Sequence, residues 1–287
     1  MAAVPSPMKR PIPVSLDAII QGIAYVGLAV WAVLSLFPLY WLFTTSFQSF
    51  GLTIQFPLKL FPQPFTLVNF HDVLANAFVQ RSFLNSCVVA SVATTSNIFF
   101  DTLAGYVLAK MEFPGRRVVF WLIIALLMLP WQVTLIPVYL VTAKLGFIDT
   151  YWGLILPGSV SAFGIFLMKQ YLQTLPTEII DAARVDGASE IGIFVRIILP
   201  IARPGIAVLG TFLFVAHWND FLIPLLLTTS NQMRTLQVAL SQLQFMGYTN
   251  WGIVMAGAAV AAVPTIAVFL ALQKDVTKGI TVGALKG

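Results

Sequence analysis

Two long apolar stretches of the chain contain polar side chains whose types could bind a solute or carry a proton. Asn97 and Asp101 lie in the first stretch, and His217, Asn219 and Asp220 lie in the second. A polar group inside a membrane span must find a partner, so each is a candidate functional residue. Asn97 and Asp101 are four residues apart and share one helix face, which favours hydrogen-bonded packing or a gate. The pattern of His217, Asn219 and Asp220 fits the lining of a solute path and packing between helices equally well.

Aromatic and amide side chains in the apolar stretches have the chemistry that a sugar requires. Sugar hydroxyls need a few well-placed hydrogen-bonding groups, and the sugar ring packs against aromatic faces. Trp131 is followed by Gln132, and Trp218 is followed by Asn219. These four residues, with the polar group above, are therefore candidates for a sugar path. Tryptophan is also common where helices meet the membrane surface, so the pattern alone does not demonstrate sugar binding.

The inventory of reactive residues argues against catalysis by this chain. Cys87 is the single cysteine, and the two histidines, His71 and His217, are far apart in the sequence. We therefore expect neither an intramolecular disulfide nor a metal site. The sequence contains no G-x-x-x-x-G-K-[ST] phosphate-binding loop. Accordingly, we expect no ATP hydrolysis and no cofactor in this chain.

The elements that position these residues are predicted to be membrane-spanning helices. Of the 287 residues, 59% are hydrophobic and only 9% are charged, whereas soluble proteins have roughly 45–50% and about 25%. A spanning helix needs about 20 mostly apolar residues. Six stretches qualify and predict an all-α membrane protein with six transmembrane helices: 23–43, 83–109, 118–140, 152–172, 205–226 and 251–272.

The distribution of lysine and arginine predicts that both termini are cytoplasmic. Residues 1–22 form the predicted N-terminal segment, 23–272 the spanning domain and 273–287 the C-terminal tail. Twelve basic residues lie in or next to the segments assigned to the cytoplasm: Lys9, Arg10, Lys110, Arg116, Arg117, Lys169, Arg184, Arg196, Arg203, Lys274, Lys278 and Lys286. The opposite side has four: Lys59, Arg81, Lys144 and Arg234. The net charge of +5 is therefore an orientation signal and does not indicate nucleic-acid binding.

The predicted cytoplasmic loop 173–204 has the pattern of two short helices joined by a sharp turn. A helix is expected to start at Pro176–Thr177, with Ile179, Ala182 and Ala183 on its apolar face. Gly187 stands where a helix would end in a left-handed turn. Ser189 can cap a second helix, whose apolar face would hold Ile191, Phe194, Val195 and Ile198. Such a protrusion suits a groove on another protein, although a hairpin folded onto its own bundle fits equally well.

This loop resembles the EAA loop of ABC importer permeases, which docks into a cleft on the ATP-hydrolysing subunit. The resemblance rests on Asp181-Ala182-Ala183, then Gly187, and nine residues later Ile197-x-Leu199-Pro200. Asp181 departs from the family pattern, which has Glu, and its shorter side chain alters the reach of any contact. The residues to which the resemblance assigns ATPase coupling are Asp181, Ala182, Ala183, Asp186, Gly187, Ala188, Ile197, Leu199 and Pro200.

The resemblance covers nearly the whole chain and is closest to carbohydrate permeases like the smaller membrane subunit of the maltose importer. Asn85-Ser86, Ala104-Gly105-Tyr106 with Phe113-Pro114-Gly115-Arg116, and Trp218-Asn219-Asp220-Phe221 are similar to family motifs. The C-terminal Gly-Ala-Leu-Lys-Gly is similar to the family's tail, which reaches the ATPases. The resemblance thus implies that Gly283, Lys286 and Gly287 contact the ATPases. Asn85, with Asn97 and Asp101, is assigned to polar packing or a gate.

The resemblance implies a type I permease bundle in the cell membrane that forms half of a translocation path for a sugar or sugar-like solute. The implied partners are a second, different permease subunit, two ATPase subunits that bind ATP and Mg²⁺, and an extracytoplasmic solute-binding protein. The same role for glycerol phosphate or a glycosylated osmolyte is an alternative. A proton-coupled carrier that uses Asp101 and Asp220 is a weaker alternative, because the sequence has a coupling loop and no internal repeat.

Overall fold

The computed structural model describes residues 16–49, 60–243 and 250–284, and within them the regular secondary structure is helical, with one isolated bridge between Gln48 and Phe65. The helices are α1 (Leu16–Ser46), α2 (Val68–Ala75), α3 (Ala77–Lys110), α4 (Arg116–Met128), α5 (Leu135–Lys144), α6 (Tyr151–Ile155), α7 (Ala162–Gln173), α8 (Glu178–Val185), α9 (Glu190–Ile193), α10 (Leu199–Ile201), α11 (Arg203–Trp218), α12 (Leu222–Leu227), α13 (Leu236–Leu243) and α14 (Trp251–Ala284). Short 3₁₀ turns at Trp131–Thr134 and Leu156–Gly158 and a π-helical turn at Phe194–Ile198 complete them.

The predicted all-helical membrane architecture is confirmed, with six candidate spans in the described part of the chain. Three are continuous helices, formed by α1, α3 and α14. The other three are pairs of segments bent at a short break. The bends are 98° between α4 and 131–144, 43° between 151–158 and α7, and 80° between 190–201 and α11.

Two of these bends divide stretches that the sequence predicts to be continuous spans, 118–140 and 152–172, whereas the 80° bend lies between the predicted loop 173–204 and the predicted span 205–226. The 118–140 stretch breaks before Pro130, because proline forces the preceding Leu129 into an extended conformation, with φ −85° and ψ 128°. The 205–226 stretch breaks after Trp218, where Asn219 to Phe221 separate α11 from α12. Each break leaves irregular backbone in a predicted span, which is tolerated where it lines a cavity or is buried in protein.

Helix α3 is the centre of the bundle, with α7 and α11 packed along it and α14 packed against α11. Gly105 allows the close approach of α3 and α7, since a β-carbon there would lie 2.8 Å from the Met168 β-carbon. Tyr106, Met168 and Leu172 form one buried core cluster with residues of the 173–204 loop. The loop is therefore packed directly onto the central helix.

Candidate functional site

A hydrogen-bonded network of four side chains joins α3, α7 and α11 inside the bundle. The His217 Nε2 lies 2.8 Å from the Asn97 Oδ1, and the Asn97 Nδ2 donates to the Asp101 carboxylate over 3.3 Å. The backbone N–H and the hydroxyl of Ser161 each donate to Asp101 over 3.0 Å. Asn97 and Asp101 are completely buried. The predicted pair of Asn97 and Asp101 thus has two further partners, His217 from α11 and Ser161 from the start of α7.

The carboxylate of Asp101 is held at the amino end of α7. Ser161 is the N-cap residue of that helix, and its hydroxyl also accepts the N–H of Gly164. A helix amino end carries partial positive charge and unpaired N–H groups, so it stabilises a nearby anion. Gly164 has to lack a side chain, because a β-carbon there would lie 2.0 Å from the Asp101 Oδ2. The geometry therefore favours the packing role for Asp101, with the helix end as its partner.

The second polar group lines a cavity of about 560 Å³. His217, Asn219, Asp220 and Trp131 all border this cavity, which lies beside the interruption between α11 and α12 and the break around Pro130. One wall is Gly158, where a β-carbon would lie 2.9 Å from the His217 Cε1. Four of the six predicted path residues are thus brought together around one space that contains a ring, two amide or carboxylate groups and an imidazole.

The two other predicted path residues do not line this cavity. Trp218 is 1% exposed, packs against Phe83 and Phe214, and donates its indole N–H to the Ala261 carbonyl over 2.8 Å. It is a core residue, since its side chain points towards α14 while its neighbours face the cavity. Gln132 is exposed in the 3₁₀ turn and is absent from the cavity wall.

Ser161 and Gly158 are site residues that the sequence analysis missed. Both lie inside the predicted span 152–172, which was read as one uninterrupted helix. Pro157-Gly158 is a turn-forming pair, and Ser161 before an apolar run is a typical helix N-cap. Together these two signals could have located the break, and with it a helix amino end facing the bundle interior.

Asn85 holds together the end of the bundle opposite to the 173–204 loop. Its amide donates to the carbonyls of Gln232 and Arg234 over 2.7 and 2.9 Å and accepts the Tyr151 hydroxyl over 2.7 Å. The neighbouring Ser86 hydroxyl accepts the N–H of Leu236 over 2.8 Å. Because every one of these bonds is to another segment of the chain, the arrangement favours a packing role for Asn85.

The 173–204 loop forms two short helices at a tight turn, as its pattern predicted. Helix α8 is followed by Gly187 in the left-handed conformation, with φ +78°. Ser189 then caps α9 by accepting the N–H of Gly192 over 3.2 Å. A β-branched residue in place of Gly187 would be strained whatever the space around it, because its φ lies in the left-handed region.

A charged cluster around Arg184 and Glu190 links the two short helices to each other and to α3. The Arg184 guanidinium lies 2.8 Å from the Glu190 Oε1 and 3.1 Å from the Asp181 Oδ1. The hydroxyl of Tyr106, in α3, donates to the other oxygen of Glu190 over 2.9 Å. The hydrogen bond from Arg184 lowers the pKa of the Glu190 carboxyl below its ordinary value. Glu190 is therefore an anionic link between α8, α9 and the central helix.

The buried and exposed faces of these helices differ in part from the prediction. Ile180 and Ile193 are the buried isoleucines, and Phe194 and Ile198 pack with them on α3 and α7. Ile179, Val185 and Ile191 are instead 41%, 88% and 77% exposed. Of the four residues that the regular helical period predicts to share one face, Ile191, Phe194, Val195 and Ile198, only Phe194 and Ile198 are buried, and a π-helical turn runs from one to the other. The consequence is an apolar tip that has no cover within the described part of the chain.

Of the three residues predicted to contact the ATPases, only Gly283 lies among the described residues. Helix α14 continues to Ala284 and therefore includes Gly283. Lys286 and Gly287 lie outside the described residues.

Comparison with known proteins finds a matching family and relatives that cover most of the chain. A family model of the binding-protein-dependent transport system inner membrane component matches residues 101–281. The arabinooligosaccharides transport system permease protein AraQ of Halalkalibacterium halodurans is 34% identical, over 94% of this chain and 98% of that protein. The sn-glycerol-3-phosphate transport system permease protein UgpE of Rhizobium meliloti is 33% identical, over 90% of this chain and 95% of that protein. The osmoprotective compounds uptake permease protein GgtD of Synechocystis sp. is 38% identical, over 77% of this chain and 76% of that protein.

The fold also matches a solved structure. One chain in the crystal structure of a bacterial ABC transporter involved in the import of the acidic polysaccharide alginate superposes with a TM-score of 0.80. The alignment covers 92% of this chain and 99% of that chain at 24% sequence identity. This likeness establishes the fold.

Replacement of Asp101 by Asn tests whether the carboxylate packs helices or carries protons. The new amide keeps the shape and can still accept the Ser161 N–H, and Asn97 can turn its amide over if His217 changes tautomer. We therefore expect substantial ATP-dependent uptake in proteoliposomes, with or without a protonophore. Asp220→Asn is expected to behave alike. Loss of concentrative uptake in Asp101→Asn, with normal protein yield, would contradict the packing role of Asp101.

Proposed function

The chain belongs to the family of binding-protein-dependent transport system inner membrane components, and we propose that the solute it carries is a sugar or sugar-like compound. It is a permease subunit of an ABC importer. The observation that carries the proposal is the cavity of about 560 Å³ whose lining includes Trp131, Asn219, Asp220 and His217. A ring face beside several hydrogen-bonding groups is the combination that a hydroxylated ring requires.

The lining of the cavity favours a neutral sugar over glycerol phosphate. A bound phosphate would require lysine, arginine or helix amino ends as partners. The described residues that border the cavity include no lysine or arginine, and the amino end of α12, which also borders it, already donates the Ile223 N–H to the Asp220 carboxylate over 3.4 Å. A glycosylated osmolyte has the same hydroxyl chemistry as a sugar and remains the second candidate, which agrees with the osmoprotectant permease among the relatives.

The proton-coupled alternative has no remaining support. ABC importers take their energy from ATP, and the Asp101 carboxylate is already satisfied by Ser161 and Asn97. The chain itself is proposed to be non-catalytic and free of cofactors, with ATP and Mg²⁺ bound by partner subunits.

The proposed assembly contains this chain, a different second permease subunit, two ATPase subunits and an extracytoplasmic solute-binding protein. The exposed apolar tip of Ile179, Val185 and Ile191 is the surface offered to an ATPase. An apolar helical tip of this kind fits a hydrophobic groove on a partner. Glu190, Arg184 and Tyr106 would pass the movement of the tip to α3. ATPase closure would thereby tilt the spans that surround the cavity.

The protein is an inner-membrane, multi-pass component, and both termini are proposed to face the cytoplasm on the basis of the basic-residue bias. In a Cys87→Ser background, single cysteines at Ser49 and Asn231 should react with an impermeant thiol reagent from outside. A cysteine at Ser189 should react only after the membrane is opened. Labelling of position 189 in intact cells would overturn the orientation.

The coupling role is tested by Gly187→Val, with Gly146→Val as the matched control. Both glycines have φ near +75° (+78° and +72°), and neither has an atom within 4 Å of an added β-carbon. Each substitution should therefore cost about 1–2 kcal/mol of backbone strain. Only Gly187 lies in the coupling loop, so only its variant should lose co-purifying ATPase subunits and uptake. Equal losses in both variants would show a folding defect and contradict docking by the loop.

The sugar proposal is tested with the reconstituted complex, its binding protein and a panel of neutral oligosaccharides, glycerol phosphate and glycosylated osmolytes. Stimulation of ATPase activity and uptake by a sugar is the expected result. Trp131→Ala should raise the KM for uptake of that sugar about five- to tenfold, because a ring contact is lost. Trp152→Ala removes an exposed ring from a neighbouring apolar cavity and is the control. Stimulation by glycerol phosphate alone, or an unchanged KM in Trp131→Ala, would contradict the proposal.

A further inference from the structure

A second cavity, of about 630 Å³, lies where α3 ends, α4 begins and α7 passes beside them. Three cationic side chains, those of Arg116, Arg117 and Lys169, line it together with one carboxylate, Glu112. The remaining wall is largely apolar. This cavity is separate from the proposed solute path, with which it shares no lining residue.

The cations around this cavity have no anionic partner within the described part of the chain. None of the ion pairs found there includes Arg116, Arg117 or Lys169. Arg116 donates to the carbonyl of Met111 over 3.0 Å, and the Lys169 ammonium lies 3.9 Å from the centre of the Phe120 ring. These contacts hold two of the charges in place without neutralising them. The cavity therefore presents an excess of positive charge to an incoming anion.

The position of the cations along α4 places them at a membrane boundary. Gly115 begins the helix in the left-handed conformation, Arg116 and Arg117 follow, and the next eleven residues are apolar. Val118 and Leu122 are four residues apart and are 63% and 62% exposed on the same helix face. The charged cavity thus lies at headgroup level above an exposed apolar surface that acyl chains can cover.

We propose that this cavity binds the phosphate headgroup of an anionic phospholipid. The cations of Arg117 and Lys169 would pair with the phosphate, and the acyl chains would lie along Val118 and Leu122. A free phosphate ion has the same headgroup chemistry but would gain nothing from the exposed apolar face. The association joins α4 to α7, and it depends neither on the transported solute nor on the coupling loop.

The test uses the purified whole complex after delipidation, titrated with phosphatidylglycerol, phosphatidylcholine or inorganic phosphate and examined by native mass spectrometry. Phosphatidylglycerol should be retained at least tenfold better than phosphatidylcholine, and phosphate should not displace it at millimolar concentration. Each basic residue near an anionic lipid surface contributes about 1 kcal/mol, so removing one cation should weaken binding about fivefold. The double variant Arg117→Gln/Lys169→Gln should therefore lose most of the headgroup selectivity.

Lys274→Gln is the matched control, since Lys274 is an exposed lysine on the same predicted side that does not line the cavity. It should retain wild-type lipid selectivity, as should the charge-preserving variant Arg117→Lys/Lys169→Arg. Equal retention of the two phospholipids by the wild type would overturn the proposal. Displacement by phosphate would assign the site to a free anion. Loss of co-purifying ATPase with unchanged lipid selectivity in the double glutamine variant would assign the cavity to a protein partner.

Discussion

The bond between the Asp101 carboxylate and the amino end of α7 is the interaction on which the interior of the bundle depends. A carboxylate without water is costly unless it is fully hydrogen-bonded, and Asp101 is completely buried. Ser161 satisfies it twice, and Asn97 adds a third bond. This arrangement requires α7 to begin at Ser161, and hence requires the preceding segment to break. The broken span that forms one wall of the cavity is thus tied to the hydrogen bonds of a single buried side chain.

Helix α3 makes contacts with other segments at both of its ends and in its middle. Its 34 residues extend about 50 Å at 1.5 Å per residue. Asn85 holds the segments at one end, Asn97 and Asp101 hold α7 and α11 in the middle, and Tyr106 binds the coupling loop at the other end. A rigid helix with contacts at all three levels can couple movement of the loop to the walls of the cavity. A substitution that tests this coupling therefore has to change the docking of the loop without changing the packing of α3.

Much of the architecture was predictable because its signals are local. Apolar length predicted the spans, and the Gly187 and Ser189 signals predicted the turn and the cap of the loop, each of which needs only neighbouring residues. The predictions that were wrong concern which face of a helix a residue occupies and the direction in which a side chain points. A regular helical period predicts that Ile191, Phe194, Val195 and Ile198 share one face, whereas the structure buries only Phe194 and Ile198 of these four. Trp218 was grouped with its polar neighbours, although its side chain points to α14.

The sequence by itself determined that the chain is a helical membrane protein of the permease family and that the 173–204 loop forms two short helices joined at Gly187. Composition, hydrophobic length and motif spacing are properties of the linear chain, so no tertiary information is needed to read them. Only the tertiary structure decided that Ser161 partners Asp101, that Trp131 meets His217 in one cavity, and that Arg117 and Lys169 share another. These pairs lie between 52 and 86 positions apart in the sequence. Their proximity depends on where helices break and how closely α3 and α7 approach, which packing across the whole bundle sets.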